Sequence, residues 1–374
     1  SRGGDQAVVS KYGEELLFFG GKTEAMESRN KVEVRVIADS LINAIKSANN
    51  ILIMGHTDAD MDAIGSCLGI LAICNHVNKE AHIVYDSKHV ERKAKNAFST
   101  LFSRDEIAKM TLMPKEALEK VRSNTLIIVV DVHKANMTMS PAIIEKASKV
   151  IVIDHHRRGE DFIENDIFHY IEPSASSASE LITELIRYAS VNPRIELKSS
   201  YATLMLSGIF LDSNYFKAKT TAMRTFEASM ILKEYGADNS LADDFLKDEY
   251  EEYSLISSIT STMKTPYYGV VYCMADEKEI IEPATLAKVA NSCMQIKGVN
   301  GCFVIGRVSD NTVRISARSN GKINMQLLAE KMGGGGHFTS AAVPLKNYSL
   351  QRAESYLMET LATFLPDASQ HEDY

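Results

Sequence analysis

Four short apolar runs that end in acidic or imidazole residues constrain the fold of this chain of 374 residues more than any other feature. The runs are Ile51–Met54, Leu126–Val130, Val150–Ile153 and Gly208–Leu211. Such runs are typical of buried parallel strands, whose carboxyl ends meet at one edge of an open α/β sheet. We therefore interpret all four as strand ends, although the fourth run also fits the end of a helix. Helical patterns between the runs predict a doubly wound parallel sheet.

The same patterns predict how the chain divides into domains. Strand and helix patterns alternate over residues 33–250, and a second, smaller α/β pattern fills residues 267–374. Residues 251–266 are expected to be a linker. Residues 1–32 are polar and Gly-rich around one apolar patch, which suggests the tail of a further domain upstream.

Composition excludes several classes of function. No apolar run approaches the roughly 18 residues that a membrane-spanning helix needs, so this part of the chain is expected to make no membrane contact. The net charge of −8 argues against long nucleic acids as partners, because they require a basic surface. Five dispersed cysteines without a CxxC pair indicate reduced thiols in a cytoplasmic setting.

The residues that follow the four runs are ligands of the kind that divalent cations bind. The candidate metal ligands are His56, Asp60, Asp62, Asp131, His155 and Asp212. Carboxylates and imidazoles without a thiolate favour Mn²⁺, with Mg²⁺ or Co²⁺ as possible substitutes. Four neighbouring carboxylates would raise each other's pKa values, and two divalent cations would balance their charge. The pattern therefore predicts a two-metal hydrolytic centre.

Each cluster also has an ordinary structural interpretation. The acidic loop after the first run fits the start of a helix, and Asp58 in that loop is expected only to cap it. Asp131 and the sequence Asp154-His155-His156 both fit turns, and Asp212 fits a helix end. Adjacent histidines on an extended chain point in different directions, so one could bind metal while the other contacts substrate. We interpret His133 as a histidine without a role in the site.

A second pattern, near the end of the chain, suits an anion. Gly333–Gly336 and His337 are predicted to form a loop whose backbone N–H groups approach a ligand closely. Arg314, Ser316 and Arg318 alternate along a predicted strand and would share one face, where arginine suits phosphate. A flexible linker and a solvated strand face are the alternatives.

Taken together, these motifs resemble the DHH/DHHA1 phosphoesterase family. The resemblance rests on His56-x₃-Asp60-x-Asp62, Asp131-Val132-His133, Asp154-His155-His156 and Gly333–His337, in that order along the chain. It implies one Mn²⁺ held by His56, Asp60 and Asp131, and another held by Asp62, Asp131, His155 and Asp212. It also implies that Asp131, His155 and His156 are catalytic. The implied substrate-binding residues are Ser316, Arg318, Gly334, Gly335, Gly336 and His337.

Within that family, the chain is similar to cyclic-di-AMP phosphodiesterases of the GdpP type. This similarity implies hydrolysis of cyclic-di-AMP to the linear dinucleotide pApA, a homodimer, and a cytoplasmic catalytic part of a membrane-anchored protein. It also implies that residues 1–32 end a degenerate GGDEF-like domain. An exonuclease for short oligonucleotides, a pyrophosphatase and a non-catalytic nucleotide sensor remain alternatives. Base preference is open.

Overall fold

The computed structural model describes residues 6–9, 17–20, 31–157, 162–163 and 166–364. The chain forms two compact units, Ser1–Lys247 and Asp248–Tyr374. Of the predicted upstream tail, two short paired strands are described, and residues 31–32 begin a helix; the remainder lies outside the described residues. None of the described helices has both the length and the apolar character to cross a membrane.

The first unit contains eight strands, ten α-helices and one short 3-10 helix (Ala135–Met137) in the part of the chain that is described. In chain order they are β1 (Gln6–Val9), β2 (Leu17–Gly20), α1 (Lys31–Ser47), β3 (Asn50–Met54), α2 (Met61–His76), β4 (Ala81–Val84), α3 (Arg92–Leu101), α4 (Arg104–Met110), β5 (Thr111–Leu112), α5 (Pro114–Lys120), β6 (Thr125–Val130), α6 (Pro141–Lys146), β7 (Val150–Asp154), β8 (Asp166–Ile171), α7 (Ala178–Tyr188), α8 (Ser199–Asp212), α9 (Met223–Glu234) and α10 (Asn239–Asp244).

Six strands of this unit form one sheet in the order β5-β4-β3-β6-β7-β8, and every neighbouring pair is parallel. Ile51 and Ile53 face a core that includes α2 and α8, whereas Leu52 and Met54 face a core on the other side of the sheet. Both faces are therefore covered, which explains why the central strands are apolar at every position. The predicted doubly wound parallel sheet is confirmed.

Two sequence interpretations in this unit are wrong. Gly208–Leu211 is the last part of helix α8 and not a strand. Because α8 is apolar on nearly all sides and buried, its sequence lacks the periodicity that distinguishes a helix from a buried strand. The pattern of residues 105–122 also predicts one helix, but these residues form α4, β5 and α5, because Pro114 begins a new helix and disfavours helical backbone at Met113.

The second unit contains the predicted smaller α/β domain and also residues 251–266, which were expected to be a linker. Its described elements are α11 (Tyr250–Thr260), β9 (Lys264–Tyr267), β10 (Val270–Met274), α12 (Pro283–Cys293), β11 (Gly301–Ser309), β12 (Thr312–Ser319), α13 (Met325–Lys331), β13 (Gly335–His337), β14 (Ser340–Lys346) and α14 (Leu350–Phe364). The strand order is β13-β14-β12-β11-β10-β9, with only β10 and β11 parallel to each other. Helices α13 and α14 cover one face of this sheet, and α11 and α12 cover the other.

The glycine-rich segment differs from the predicted loop, because Gly335–His337 is an edge strand paired with β14. A Cβ atom at Gly334 would lie 2.3 Å from the carbonyl oxygen of Ala342. At Gly336, where φ is +152°, a Cβ atom would lie 2.4 Å from the Cα of Ala341. Only glycine allows the two backbones to approach this closely.

Candidate metal centre

The loop after β3 places the first two candidate ligands. Asp60 is the N-cap of α2, and its Oδ1 accepts hydrogen bonds from the backbone N–H groups of Asp62 (2.9 Å) and Ala63 (3.1 Å). Asp58, the expected cap, is exposed and has a positive φ of 57°. The Nε2 atom of His56 lies 3.9 Å from Asp60 Oδ1. The cap therefore fixes the Asp60 carboxylate beside the imidazole of His56.

Asp62 lies in the first turn of α2 and is fully buried. Its Oδ2 accepts a hydrogen bond from the backbone N–H of Ala178 (2.7 Å), and its Oδ1 accepts one from that of Ser179 (2.9 Å). These two groups belong to the first turn of α7, where N–H groups lack partners within the helix and favour negative charge. Burial nevertheless raises the pKa of Asp62 well above its ordinary value, and the charges of Asp131 and Asp212 raise it further.

Asp131 occupies the centre of the cluster. It directly follows β6, is buried, and has a left-handed backbone with φ of 59°, which is uncommon for a residue other than glycine. Its Oδ2 lies 3.6 Å from His56 Nε2, and its Oδ1 lies 3.3 Å from His155 Nε2. The two carboxylate oxygens therefore face two different histidines.

His155 and Asp212 complete the opposite side. Asp212 is the last residue of α8, and its Oδ2 lies 3.0 Å from His155 Nε2. Although these groups are close, neither His155 Nε2 nor Asp131 Oδ1 makes a hydrogen bond of good geometry within the described residues. Buried polar atoms are rarely left in this condition, and a cation between them would satisfy both. The donor set therefore fits a divalent metal ion.

The pKa values of the cluster also favour a cation at this position. Burial alone would lower the pKa of His56 and His155, but neighbouring carboxylates outweigh it and raise the pKa of His56 to about 11 and that of His155 well above its usual value. The protons on these imidazoles supply the positive charge that the buried carboxylates require. A cation at the same position would replace those protons.

Asp154 and His133 are functional candidates that the sequence analysis did not select. Asp154 Oδ1 accepts hydrogen bonds from the Nδ1 atom of His156 (2.8 Å) and from the backbone N–H of His155 (2.8 Å). Its Oδ2 accepts one from Nδ1 of His133 (2.5 Å), which is buried. Burial would raise the pKa of Asp154, but the hydrogen bonds of the two histidines outweigh it and hold the pKa at about 2. In the sequence, both residues appear only as members of the motifs Asp131-Val132-His133 and Asp154-His155-His156, without a separate role.

The structure brings all six predicted metal ligands together. Their ligand atoms form groups within 4.8 Å of one another, and each group contains Asp131: one has His56 and Asp60, and another has Asp62, His155 and Asp212. His156 joins Asp131 and His155 in a third group. A cavity of 420 Å³ opens onto this cluster, and Lys134, Met137 and Arg157 also line it.

The predicted substrate residues lie together in the second unit. Strand register places Ser316, Ala342 and Gly335 side by side, and likewise Arg318, Ser340 and His337. Opposite residues in an antiparallel sheet share a face, so the predicted residues of β12 and β13 lie on the same face. Gly335, Gly336 and His337 are exposed, whereas Ser316 is buried and Arg318 is half-buried. Gly334 lies against β14, as described above.

The fold and this cluster define a class: a two-unit α/β protein whose parallel sheet carries a group of side chains able to hold divalent metal ions. Residues 50–209 match the N-terminal domain of the DHH family, and residues 267–365 match the DHHA1 domain. The two matches together span well over half of the sequence, and the chain belongs to the DHH/DHHA1 family, as the motifs had indicated.

Several characterised proteins are similar over nearly the whole chain. The cyclic-di-AMP phosphodiesterase GdpP of Geobacillus thermodenitrificans is 37% identical over 360 residues, which is 96% of this chain and 54% of that protein. The cyclic-di-AMP phosphodiesterase PdeA of Listeria monocytogenes is 35% identical over 364 residues, 97% of this chain and 55% of that protein. The chain thus spans about half the length of these relatives.

Two further similarities are more distant. The bifunctional oligoribonuclease and PAP phosphatase NrnA of Thermus thermophilus is 25% identical over 346 residues, 90% of this chain and 96% of that protein. The crystal structure of an exopolyphosphatase-related protein from Bacteroides fragilis aligns with a TM-score of 0.70 at 20% identity, covering 89% of this chain and 98% of the other. The latter supports the fold alone.

Proposed function

We propose that this chain is a two-manganese phosphodiesterase that hydrolyses cyclic-di-AMP to pApA. One observation carries the proposal: six carboxylate and imidazole ligands from four segments form two groups that share Asp131. The similarity to the cyclic-di-AMP phosphodiesterases GdpP and PdeA supports cyclic-di-AMP as the substrate. The absence of thiolates among the ligands favours Mn²⁺, with Mg²⁺ or Co²⁺ as substitutes.

Each metal position would take its ligands from one group. His56, Asp60 and Asp131 would hold one ion, and Asp62, Asp131, His155 and Asp212 would hold the other. Bound divalent cations of this kind lower the pKa of water and stabilise charge on phosphate oxygens. Asp62 and Asp60 are fixed in advance by backbone N–H groups, so little conformational entropy remains to be lost when a cation binds.

His156 suits contact with the substrate rather than the metals. Its side chain is 56% exposed, and its Nδ1 is already bonded to Asp154, which leaves Nε2 as the nitrogen that can donate to a phosphate oxygen. The hydrogen bond to Asp154 raises the pKa of His156, so the ring carries its second proton more readily. Lys134 and Arg157 on the same cavity add positive charge for an anionic substrate.

The proposed reaction consumes one water molecule. The water oxygen forms a bond to one phosphorus of cyclic-di-AMP, the bond from that phosphorus to the ribose 3′ oxygen breaks, and the released oxygen takes up a proton. The product is pApA with a 5′ phosphate. In the second unit, Arg318, Ser316, His337 and the backbone of Gly334–Gly336 would bind substrate phosphate.

The test is chromatography of products after incubation with cyclic-di-AMP, cyclic-di-GMP or pApA, each with and without Mn²⁺. The proposal expects pApA from cyclic-di-AMP only when Mn²⁺ is present, and the cyclic-di-GMP sample measures base preference. Turnover that is unchanged by removing divalent cations would contradict it. Cyclic-di-AMP that stays intact with Mn²⁺ while binding to the protein would support a nucleotide sensor instead.

An oligonucleotide hydrolase is a second candidate, because NrnA is also similar to nearly the whole of this chain, at 25% identity. The pApA sample decides between the two. Faster consumption of pApA than of cyclic-di-AMP would favour the NrnA-like activity.

Two implications of the GdpP resemblance also stay predictions. Light scattering on the purified chain would measure the homodimer that the resemblance implies. Membrane anchoring concerns the whole protein, and cell fractionation of the full-length gene product would test it.

A further inference from the structure

Arg314 is an arginine on β12 for which the proposed function has no role. It lies two residues from Ser316 and four from Arg318, so the three side chains leave the strand on the same side. The register carries this face across to β14, where Pro344, Ala342 and Ser340 stand opposite the three residues. Arg314 therefore continues the row of predicted phosphate-binding residues by one further position.

The guanidinium of Arg314 lacks the partners that a partly buried arginine normally has. Its Nε atom is buried and makes no hydrogen bond, and the group forms no ion pair with a carboxylate among the described residues. Buried polar atoms in native proteins are almost always satisfied by protein, water or ligand. An anion is the ligand class that the five N–H donors of arginine suit best.

Arg318, on the same face, also has no carboxylate partner among the described residues. Its Nε donates to Asn291 Oδ1 (3.0 Å) and its guanidinium donates to the carbonyl oxygen of Ala317 (2.9 Å), so it is oriented without any described carboxylate partner. Burial lowers the pKa of Arg318, and the charge of Arg314 lowers it further. Two like charges that influence each other on one face, without a counter-ion, are an arrangement that binding of a polyanion would stabilise.

We propose that Arg314 binds the phosphate of the dinucleotide that is 5′-terminal in pApA, beside an internal phosphate expected at Arg318, so that this face selects ligands with two phosphates over ligands with one. The identity of the ligand rests on the proposed function. Both phosphates of cyclic-di-AMP are internal, whereas pApA carries one internal and one 5′-terminal phosphate. The dinucleoside monophosphate ApA lacks the terminal group and is otherwise the same molecule.

The experiment compares pApA and ApA as competitive inhibitors of cyclic-di-AMP hydrolysis by the wild type and Arg314→Gln, with Mn²⁺ present. Loss of one charged hydrogen-bonding group is expected to raise the inhibition constant of pApA, and the KM for cyclic-di-AMP, by about tenfold. The inhibition constant of ApA should change by less than about twofold, because ApA lacks the phosphate that Arg314 is proposed to bind.

Two controls separate binding from folding. Arg352→Gln removes one positive charge from α14, on the other face of the same sheet, and should leave all three constants unchanged. Arg314→Lys keeps the charge and should recover most of the affinity for pApA. Arg314→Gln should not lower the melting temperature, because Arg314 has no described partner within the protein; a residue with a purely structural role would lower it.

Equal weakening of pApA and ApA by Arg314→Gln, or no weakening of either, would overturn the inference. If the wild type does not hydrolyse cyclic-di-AMP, the proposed function fails, and equilibrium dialysis of pApA and ApA with Mn²⁺ replaces the kinetic measurement. A selective loss of pApA binding in Arg314→Gln would then still support the arginine site. Dialysis in which the wild type binds neither compound, or both variants bind alike, would refute it.

Discussion

At the scale of single residues, three of the six candidate ligands are also held by groups outside the cluster. Asp60 caps α2, Asp62 accepts from the start of α7, and Asp131 adopts a left-handed backbone whose N–H donates to Ile153 (2.9 Å). Backbone strain of the Asp131 kind costs on the order of 1 kcal/mol and is common at functional sites. These ligands could be predicted from the sequence because apolar runs precede them. The sequence does not show the role of Asp154 and His133, since it depends on a hydrogen bond from the loop after β6 to Asp154, the last residue of β7.

That hydrogen bond makes Asp154 a testable positioning residue. Asp154→Asn replaces one acceptor oxygen by an N–H₂ donor, so His133 and His156 can no longer both donate to it. We expect kcat/KM for cyclic-di-AMP to fall by roughly 10–100-fold, the usual cost of losing a group that orients functional histidines. Steady-state kinetics with saturating Mn²⁺ measures this effect.

Asp86→Asn is the matched control, because Asp86 bonds only within its own turn, to the N–H of Lys88 (3.0 Å). The control should have wild-type kinetics. An Asp154→Asn variant with unchanged kcat/KM would show that Asp154 does not position His156.

At the scale of elements, α8 supplies Asp212 and also determines where Asp62 lies. Gly208 in α8 packs directly on Asp62: a Cβ atom there would lie 2.7 Å from both the Cα and the Oδ1 of Asp62. The strands of the parallel sheet could be predicted from apolar runs and their turn residues. Residues 208–211 fitted a helix end as well as a strand, because burial on all sides removes the periodicity that distinguishes the two.

The close contact predicts that Gly208→Ala is destabilising. The new methyl group must displace Asp62 or separate α2 from α8, and overpacking of this kind costs about 1–3 kcal/mol. Urea unfolding would measure the loss of stability, and Mn²⁺ titration would show weaker binding because Asp62 moves. Ser199→Ala at the exposed start of α8 serves as the control. A Gly208→Ala variant as stable as the wild type, with unchanged Mn²⁺ affinity, would mean that the helices have room to move apart.

In the second unit, Glu354 ties α14 to the edge of the sheet. Its Oε1 accepts hydrogen bonds from the Tyr272 hydroxyl (2.6 Å) and from Lys264 Nζ (3.0 Å). The hydrogen bond from Tyr272 lowers the pKa of Glu354 below its ordinary value of 4.5. Partial burial opposes this shift, and the charge and hydrogen bond of Lys264 add to it. A carboxyl with a depressed folded-state pKa stabilises the fold above its unfolded pKa, and this stabilisation is lost as the pH falls through the folded value.

Glu354→Gln should therefore lower the free energy of unfolding by about 0.5–1 kcal/mol at pH 7, a figure reduced for solvent screening. The difference from the wild type should shrink as the pH falls below 4.5. Urea unfolding at several pH values measures it, and Glu359→Gln, an exposed position on α14, should behave like the wild type. If the difference in free energy of unfolding between Glu354→Gln and the wild type stays constant down to acidic pH, the charge of Glu354 has no role in stability.

At the scale of the whole molecule, the candidate metal ligands and the predicted arginine and glycine motifs fall in different units. All groups of potential metal ligands among the described residues lie in the first unit, and the arginine and glycine motifs lie in the second. This division was predictable from the sequence, because each unit has its own strand pattern and its own type of polar residue. The edge strand at Gly335–His337 was not, since a run of glycines carries no strand propensity and pairs only because β14 lies beside it.

The central claim is that four separate segments share one pair of divalent cations through Asp131. Metal analysis of the chain after loading with Mn²⁺ and gel filtration tests it most directly. The account predicts about two Mn²⁺ per wild-type chain and a loss of at least one from Asp131→Ala, which removes the carboxylate common to both groups. A wild-type chain that retains no Mn²⁺, or an Asp131→Ala variant that retains as much as the wild type, would contradict it.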